Sequence, residues 1–185
     1  MSPEQPQVVI ERAELDDAAA LHEIARRTFV HATPEDADPA AIDEFVATSL
    51  SEEAFRGHLD AAASRVLIAR QERTPIGYAL LLLDKAPPDD DGLDRFQPLV
   101  QGRGLFLSKF YLLPEARGTG ASTAMMRECF ELGRRIGADF LWLQVNDRNE
   151  RANAFYERAG LQRVGTATFQ LGAQVHSDFL RAARL

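Results

Sequence analysis

The stretch "PEARGTGAS", residues 114–122, sets a proline, an arginine and two glycines between an apolar run and a helical one. Three chemistries begin from such a loop. A P-loop for nucleotide phosphates ends in lysine followed by serine or threonine, and no lysine follows Gly120. A dinucleotide fingerprint needs a third glycine where Thr123 stands and an acidic residue closing the next strand, whereas Asp139 opens it. A nucleophile elbow, G-x-S-x-G, is approximated by "GASTA", with Ser122 as nucleophile and Asp139 and His176 following in hydrolase order. Its second glycine is Ala124, however, and Pro114 to Ala121 separate the serine from the preceding strand. What remains is a lysine-free cradle, in which Gly118 and Gly120 expose backbone N–H groups at the positive end of a helix. Such a terminus binds an anion, and a pyrophosphate fits it. The plainer alternative is a tight turn with Arg117 as a solvated charge.

The elements around this loop limit what it can serve. Val8 to Glu11 reads as a strand, and Asp16 as the cap of a helix carrying Ala18, Leu21, Ile24, Ala25 and Phe29 at helical spacing. Pro39 to Ala63 holds one or two further helices, parted at "TSLSEE". "RVLIARQ" and "IGYALLLL" form an antiparallel hairpin about "ERTP". A long loop, Lys85 to Arg103, leads to the strand "LFLSKFYLL". The cradle then opens a helix with Met125, Cys129, Leu132 and Ile136 on one face and Gly137 as its stop. "FLWLQV" is a buried strand, Asn149 opens a helix closed by Gly160, and two strands, about 162–171 and 174–183, end the chain. Helices and strands mix without strict alternation. An α+β fold follows, with a mixed, mostly antiparallel sheet flanked by helices.

A second constellation, "NERANAFYERAGL" at residues 149–161, follows the buried strand. Together with "FYLLPEARGTGAS" it resembles the GNAT superfamily of acyl-CoA N-acyltransferases, whose two motifs are written V-x-P-x-x-[RQ]-G-x-G-x-[GA] and N-x-x-A-x-x-F-Y-x-x-x-G-F. The match covers about residues 105–162, and Ser122 and Leu161 depart from it. The resemblance implies a sheet of about seven strands with helices on both faces, and acetyl-CoA as co-substrate. It implies that Phe110, Tyr111 and Leu112 pair with the pantetheine arm and the acetyl carbonyl. Arg117, Gly118, Thr119, Gly120, Ala121 and Ser122 would cradle the pyrophosphate, Asn149 would contact the pantetheine, and Tyr156 would lie near the thioester sulfur. "RRTFVHATPEDADPAAIDEFVATSL", "LSKFYLLPEARGTG" and "VGTATFQLGAQVHSDFLRAARL" look like the bacterial branch containing spermidine/spermine acetyltransferases.

Acetyl transfer to an amine requires a proton for the departing thiolate. A tyrosine with a pKa near 10 holds one at neutral pH, so Tyr156 suits a general acid; the bland reading is a helix tyrosine packed beside Phe155. No base stands out. Gln144 occupies the position of a glutamate used by some family members, and Glu23, Glu44 and His31 read first as solvated helix residues. Lys109 interrupts an apolar strand, either lining the acceptor cleft or facing water. Cys129 sits on an apolar helix face and reads as core. His22, His31, His58 and His176 share no metal-ligand spacing, so no metal is expected.

With 185 residues, 45% hydrophobic and 26% charged, the chain reads as a flexible tail over 1–7 and a single N-acetyltransferase domain over 8–185. Its longest apolar run, Tyr78 to Leu83, falls short of a membrane span, and the first residues carry no secretory pattern. A lone cysteine and a net charge of −7 point to the cytoplasm and away from nucleic acid. The acidic run Asp89 to Asp94 attracts a cationic acceptor or is simply hydrated. The expected activity is direct acetyl transfer from acetyl-CoA to a primary amine of a small molecule, polyamines included, or of a peptide, by a monomer or homodimer. A non-catalytic acyl-CoA sensor and a Ser122 hydrolase are the alternatives.

Overall fold

The computed structural model describes residues 7–88 and 98–185. The acidic run Asp89 to Asp94 and the tail up to Pro6 lie outside the described residues. Seven strands make one sheet: β1 (Val8–Arg12), β2 (Ser64–Gln71), β3 (Thr74–Leu83), β4 (Gly104–Leu112), β5 (Phe140–Asn146), β6 (Gln162–Leu171) and β7 (Gln174–Arg184), in the order β1-β2-β3-β4-β5-β7-β6. All neighbours are antiparallel except β4 and β5. The hairpin of β2 and β3 is tighter than "ERTP" suggests, because Thr74 and Pro75 join β3. Only Glu72 and Arg73 turn the chain, both left-handed at φ 48° and 72°, the geometry whose twist matches that of paired strands.

Helices cover both faces. α1 (Ala18–Thr28), α2 (Pro39–Thr48) and α3 (Glu52–Asp60) lie on one side, where Leu21, Ile24 and Phe55 meet Ile68, Tyr78 and Leu80 in one core. α4 (Ala121–Arg135) and α5 (Glu150–Arg158) lie on the other, where Met125 and Cys129 pack on Leu105, Leu141 and Leu143. The start of α1 differs from the expectation placed on Asp16. A 3-10 turn, Leu15–Asp17, precedes the helix, and the Asp17 carboxylate accepts the Glu14 N–H at 3.0 Å while Asp16 faces water. The extra turn moves the capping position one residue along the chain.

The feature that matters for chemistry is a split in the sheet. β4 and β5 pair only from Gly104 to Phe106 against Phe140 to Trp142. Beyond that, β5 continues with β7 alone as far as the pair Asn146–Asp178. β4 turns aside at a bulge: Leu80 faces Lys109 and Leu81 faces Leu107, leaving Ser108 as the extra residue. A bulge bends its strand and raises its twist, so the two parallel strands diverge towards their C-terminal ends. Each then leads into a helix, α4 or α5, whose N-terminus faces the opening.

Candidate active site

The opening is a cavity of about 670 Å³, reached by β4, β5, β7, both helix N-termini and the helical side of α1 and α2. On one side lies the glycine loop. Gly118 and Gly120 are left-handed at φ 77° and 79°, and Gly120 is the N-cap of α4. A side chain on either glycine would meet open space, so glycine is required there by backbone conformation rather than by crowding. The amides of Gly118, Gly120, Ser122 and Thr123 donate to no other group among the described residues. Free N–H groups at a helix start make a site for anionic oxygen. Arg117 is exposed beside them, with no ion pair among the described residues.

Of the expected cradle, Arg117, Gly118, Gly120 and Ser122 line the cavity and Thr119 and Ala121 do not. The Thr119 hydroxyl donates to the Ala116 carbonyl at 2.7 Å and accepts the Ala121 N–H at 3.3 Å, and Ala121 is fully buried. These two residues shape the loop from beneath. Ser122 lies in the first turn of α4. Asp139 accepts the Arg103 N–H at 2.7 Å at the start of β5. β5 pairs there with Arg184, whereas His176 lies at the far end of β7 near Asp178. Ser122, Asp139 and His176 therefore do not assemble as a triad.

Phe110, Tyr111, Leu112, Asn149 and Tyr156 all line the same cavity. Phe110 stacks on Phe155 at 5.6 Å and meets the edge of Tyr156 at 6.2 Å, which ties β4 to α5. Asn149 caps α5, its Oδ1 accepting the Ala152 N–H at 3.0 Å, which leaves its amide NH2 for a ligand. Tyr156 is 8% exposed. Burial first, then the neighbouring Tyr111 and Cys129, push its hydroxyl far above the ordinary tyrosine value; it keeps its proton throughout the neutral range.

Asn153, which the sequence reading passed over, fixes the height of that helix. Its amide donates to the carbonyls of Asn146 and Asn149 at 2.9 and 3.0 Å, and its Oδ1 accepts Nε of Arg181 at 2.9 Å. Arg181 is buried and also donates to the Leu161 carbonyl at 3.1 Å. This bridge joins α5 to β5 and β7 and so holds Tyr156 at the cavity.

The far half of the cavity is aromatic. Phe29 stacks on Phe45 at 4.7 Å, Phe45 meets the edge of Phe169 at 5.8 Å, and Phe29 meets Tyr111 at 6.5 Å. Two charges sit in this half. The Lys109 ammonium lies 5.7 Å from the centre of the Phe45 ring, and burial lowers its pKa. Asp178, 7% exposed, is pushed up to about 6 by burial, with Asp147 adding and the Asn146 hydrogen bond and His176 pulling back. Beside it, Nε2 of His176 is buried with no hydrogen-bond partner among the described residues.

Of the bases weighed from the sequence, Glu23 is exposed and paired with Arg26 at 2.7 Å, Glu44 does not reach the cavity, and His31 and Gln144 line it. Asp178 escaped notice although a signal was present. In "VHSDFL", His176, Asp178 and Leu180 share the buried phase of β7 while Val175 and Ser177 are exposed, and polar residues on the inward phase of a strand are uncommon without a task.

This fold is that of an N-acyltransferase. The chain matches the acetyltransferase (GNAT) family over residues 18–161, and it belongs to that family. It is an acetyl-CoA-dependent acyltransferase. An uncharacterized N-acetyltransferase of Mycobacterium tuberculosis, Rv2669, is 36% identical over 171 residues, covering 92% of this chain and 99% of its own. Another from Lactobacillus delbrueckii subsp. lactis, encoded in the pepI 3' region, is 27% identical over 157 residues, covering 85% and 86%. The fold is similar to the PaiA N-acetyltransferase of Thermoplasma acidophilum in complex with coenzyme A, at TM-score 0.76 and 17% identity over 97% of this chain and 99% of that one. It is also similar to Arabidopsis thaliana NAA60 in complex with acetyl-CoA, at TM-score 0.71 and 13% identity, covering 97% and 99%. No helix among the described residues is long and apolar enough to cross a membrane.

Proposed function

We propose that residues 8–185 act as one unit that passes the acetyl group of acetyl-CoA directly to a primary amine of a small molecule or peptide, across the split between β4 and β5. The observation that carries this reading is the meeting of two unlike halves in one cavity. On one side are three unbonded loop and helix amides, those of Gly118, Gly120 and Ser122, and a buried tyrosine; on the other is an aromatic chamber with a carboxylate.

The pyrophosphate rests on the amides of Gly118, Gly120 and Ser122, with Arg117 beside it and Thr119 and Ala121 shaping the loop. The open edge of β4 at Phe110, Tyr111 and Leu112 offers main-chain groups to the pantetheine and the acetyl carbonyl, and Asn149 offers its NH2 to the same arm. The amine enters the step as the free base, its ammonium proton having gone to solvent; its nitrogen attacks the thioester carbon, and the C–S bond breaks as the N–C bond forms. Tyr156 gives its proton to the departing thiolate, and Asp178 takes the proton that the nitrogen sheds as it is acylated. A phenol whose pKa is pushed up by burial is protonated when the thioester arrives.

Thermal shifts with acetyl-CoA, longer acyl-CoAs, NAD and ATP test the reading. A CoA thioester at 100 times its Kd adds about 2.7 kcal/mol, visible as a raised Tm, whereas no stabilisation by any CoA contradicts it. Stabilisation without turnover of any amine would make the chain an acyl-CoA sensor instead.

A further inference from the structure

The acceptor half of the cavity carries one charge of each sign, and the positive one has no partner. Lys109 lines the cavity, and its ammonium lies against Phe45. Among the described residues no carboxylate forms an ion pair with it. The other titratable group facing it is His58 on α3, whose pKa is lowered by burial and by the Lys109 charge; a neutral imidazole supplies no counter-charge. A cation withdrawn from water without an anion is costly. It persists at no advantage to the empty fold, and an anion entering the chamber would relieve it.

Asp178 marks the other end. It faces Tyr111 on β4, Asn146 and Asp147 at the end of β5, and His176 on its own strand. Lys109 and Tyr111 lie on one face of β4 two residues apart, about 7 Å along the strand. The wall between the charges is the aromatic set Phe29, Phe45 and Tyr111, joined by Phe169. A chamber with a carboxylate at the reacting end, an apolar wall and an unpaired ammonium beyond it is shaped for a molecule with the reverse order of groups.

Resting on the acetyltransferase reading above, we propose that the acceptor is a zwitterion: an amine that meets Asp178, an apolar spacer, and an anionic group, carboxylate or similar, that meets Lys109. A polyamine would instead place its second ammonium against Lys109, and like charges in a closed site repel.

Matched acceptors test this: 6-aminohexanoate against hexylamine and 1,6-diaminohexane, and phenylalanine against phenethylamine and phenylalanine amide, with acetyl-CoA as donor. The acids are expected to give the highest kcat/KM in both sets. Lys109→Gln is expected to cut kcat/KM for the acids on the order of 10- to 100-fold, chiefly through KM, while hexylamine is little affected. Lys109→Arg should retain most of the activity on the acids. A preference for the diamine or the neutral amines, an effect of Lys109→Gln that is absent or equal on acids and amines, loss of the acid activity in Lys109→Arg, or no turnover of any acid overturns the proposal. Turnover of the neutral amines in those cases leaves acetyl transfer standing. Absence of any turnover together with absence of a thermal shift on acetyl-CoA overturns the acetyltransferase reading itself.

Discussion

Asp178 lies directly opposite Asn146, at the last paired position of β5 and β7, so the end of the ladder delivers a buried carboxylate to the mouth of the split. With a pKa pushed up to about 6, Asp178 is half ionised at mildly acidic pH. As the acceptor of the amine proton it must be ionised. The kcat/KM for the amine should therefore fall more steeply with decreasing pH below about 6 than above it, where only the amine's own protonation acts. Asp178→Asn should abolish that limb and lower kcat by roughly 10²- to 10⁴-fold. An unaltered acid limb in the variant removes Asp178 from this role.

The same carboxylate makes a stability prediction of unusual sign. Its folded pKa is raised above the ordinary 3.8, so the fold disfavours the ionised form. Asp178 costs stability above about pH 6, and that cost disappears as pH falls towards 4. Asp178→Asn should then raise stability at pH 7 to 8 by at most about 3 kcal/mol, with no gain near pH 4. Denaturant midpoints at the two pH values read the difference directly.

Tyr156→Phe removes one oxygen from a buried ring whose packing against Phe110 and Phe155 is otherwise kept. Acetyl-CoA affinity should hold while kcat falls roughly 10²- to 10⁴-fold. Equal kcat in the variant means that another group protonates the thiolate. Isothermal titration with a non-transferable CoA analogue separates binding from turnover.

Asn153→Leu leaves the Arg181 guanidinium buried with one partner fewer. A loss of about 2–4 kcal/mol is expected, together with a fall in kcat because α5 no longer holds Tyr156 at a fixed height. A variant as stable as the parent would show that this bridge does not fix the helix.

Gly120→Ala places a Cβ in open space but on a residue at φ 79°. The backbone penalty is about 1–2 kcal/mol, and relaxation of the loop turns its amides away from the anion. Weaker CoA binding is expected, with a smaller effect on acetyl-pantetheine, which lacks the pyrophosphate. Binding that is unchanged would place the pyrophosphate elsewhere.

Much of this architecture was legible because it is local. Alternation and turn residues mark all seven strands, Gly137 and Gly160 stop their helices in the left-handed region as expected, and the cradle and Asn149 announce the starts of α4 and α5. Residues whose roles depend on partners far along the chain were harder to read. Asn153 acquires its task from Arg181, and Asp178 from its place at the end of a ladder with β5. Neither neighbour is visible in a window of ten residues. Lys109 was noticed as an oddity in an apolar strand, but its lack of a counter-ion is a property of the assembled chamber. Thr119 looked like one more cradle residue, and only the turn of its hydroxyl towards Ala116 shows that it supports the loop.

Direct transfer in a ternary complex is the centre of the account, and Ser122 and Cys129 are the residues through which a covalent route would run. Cys129 is fully buried, and burial pushes its thiol far above the ordinary value. Initial rates measured over a grid of acetyl-CoA and amine concentrations decide between the routes. Intersecting double-reciprocal lines, with no acetylated protein in the intact mass after acetyl-CoA alone, are the predicted result. Parallel lines, with an acetyl group retained on Ser122 or Cys129, would contradict it.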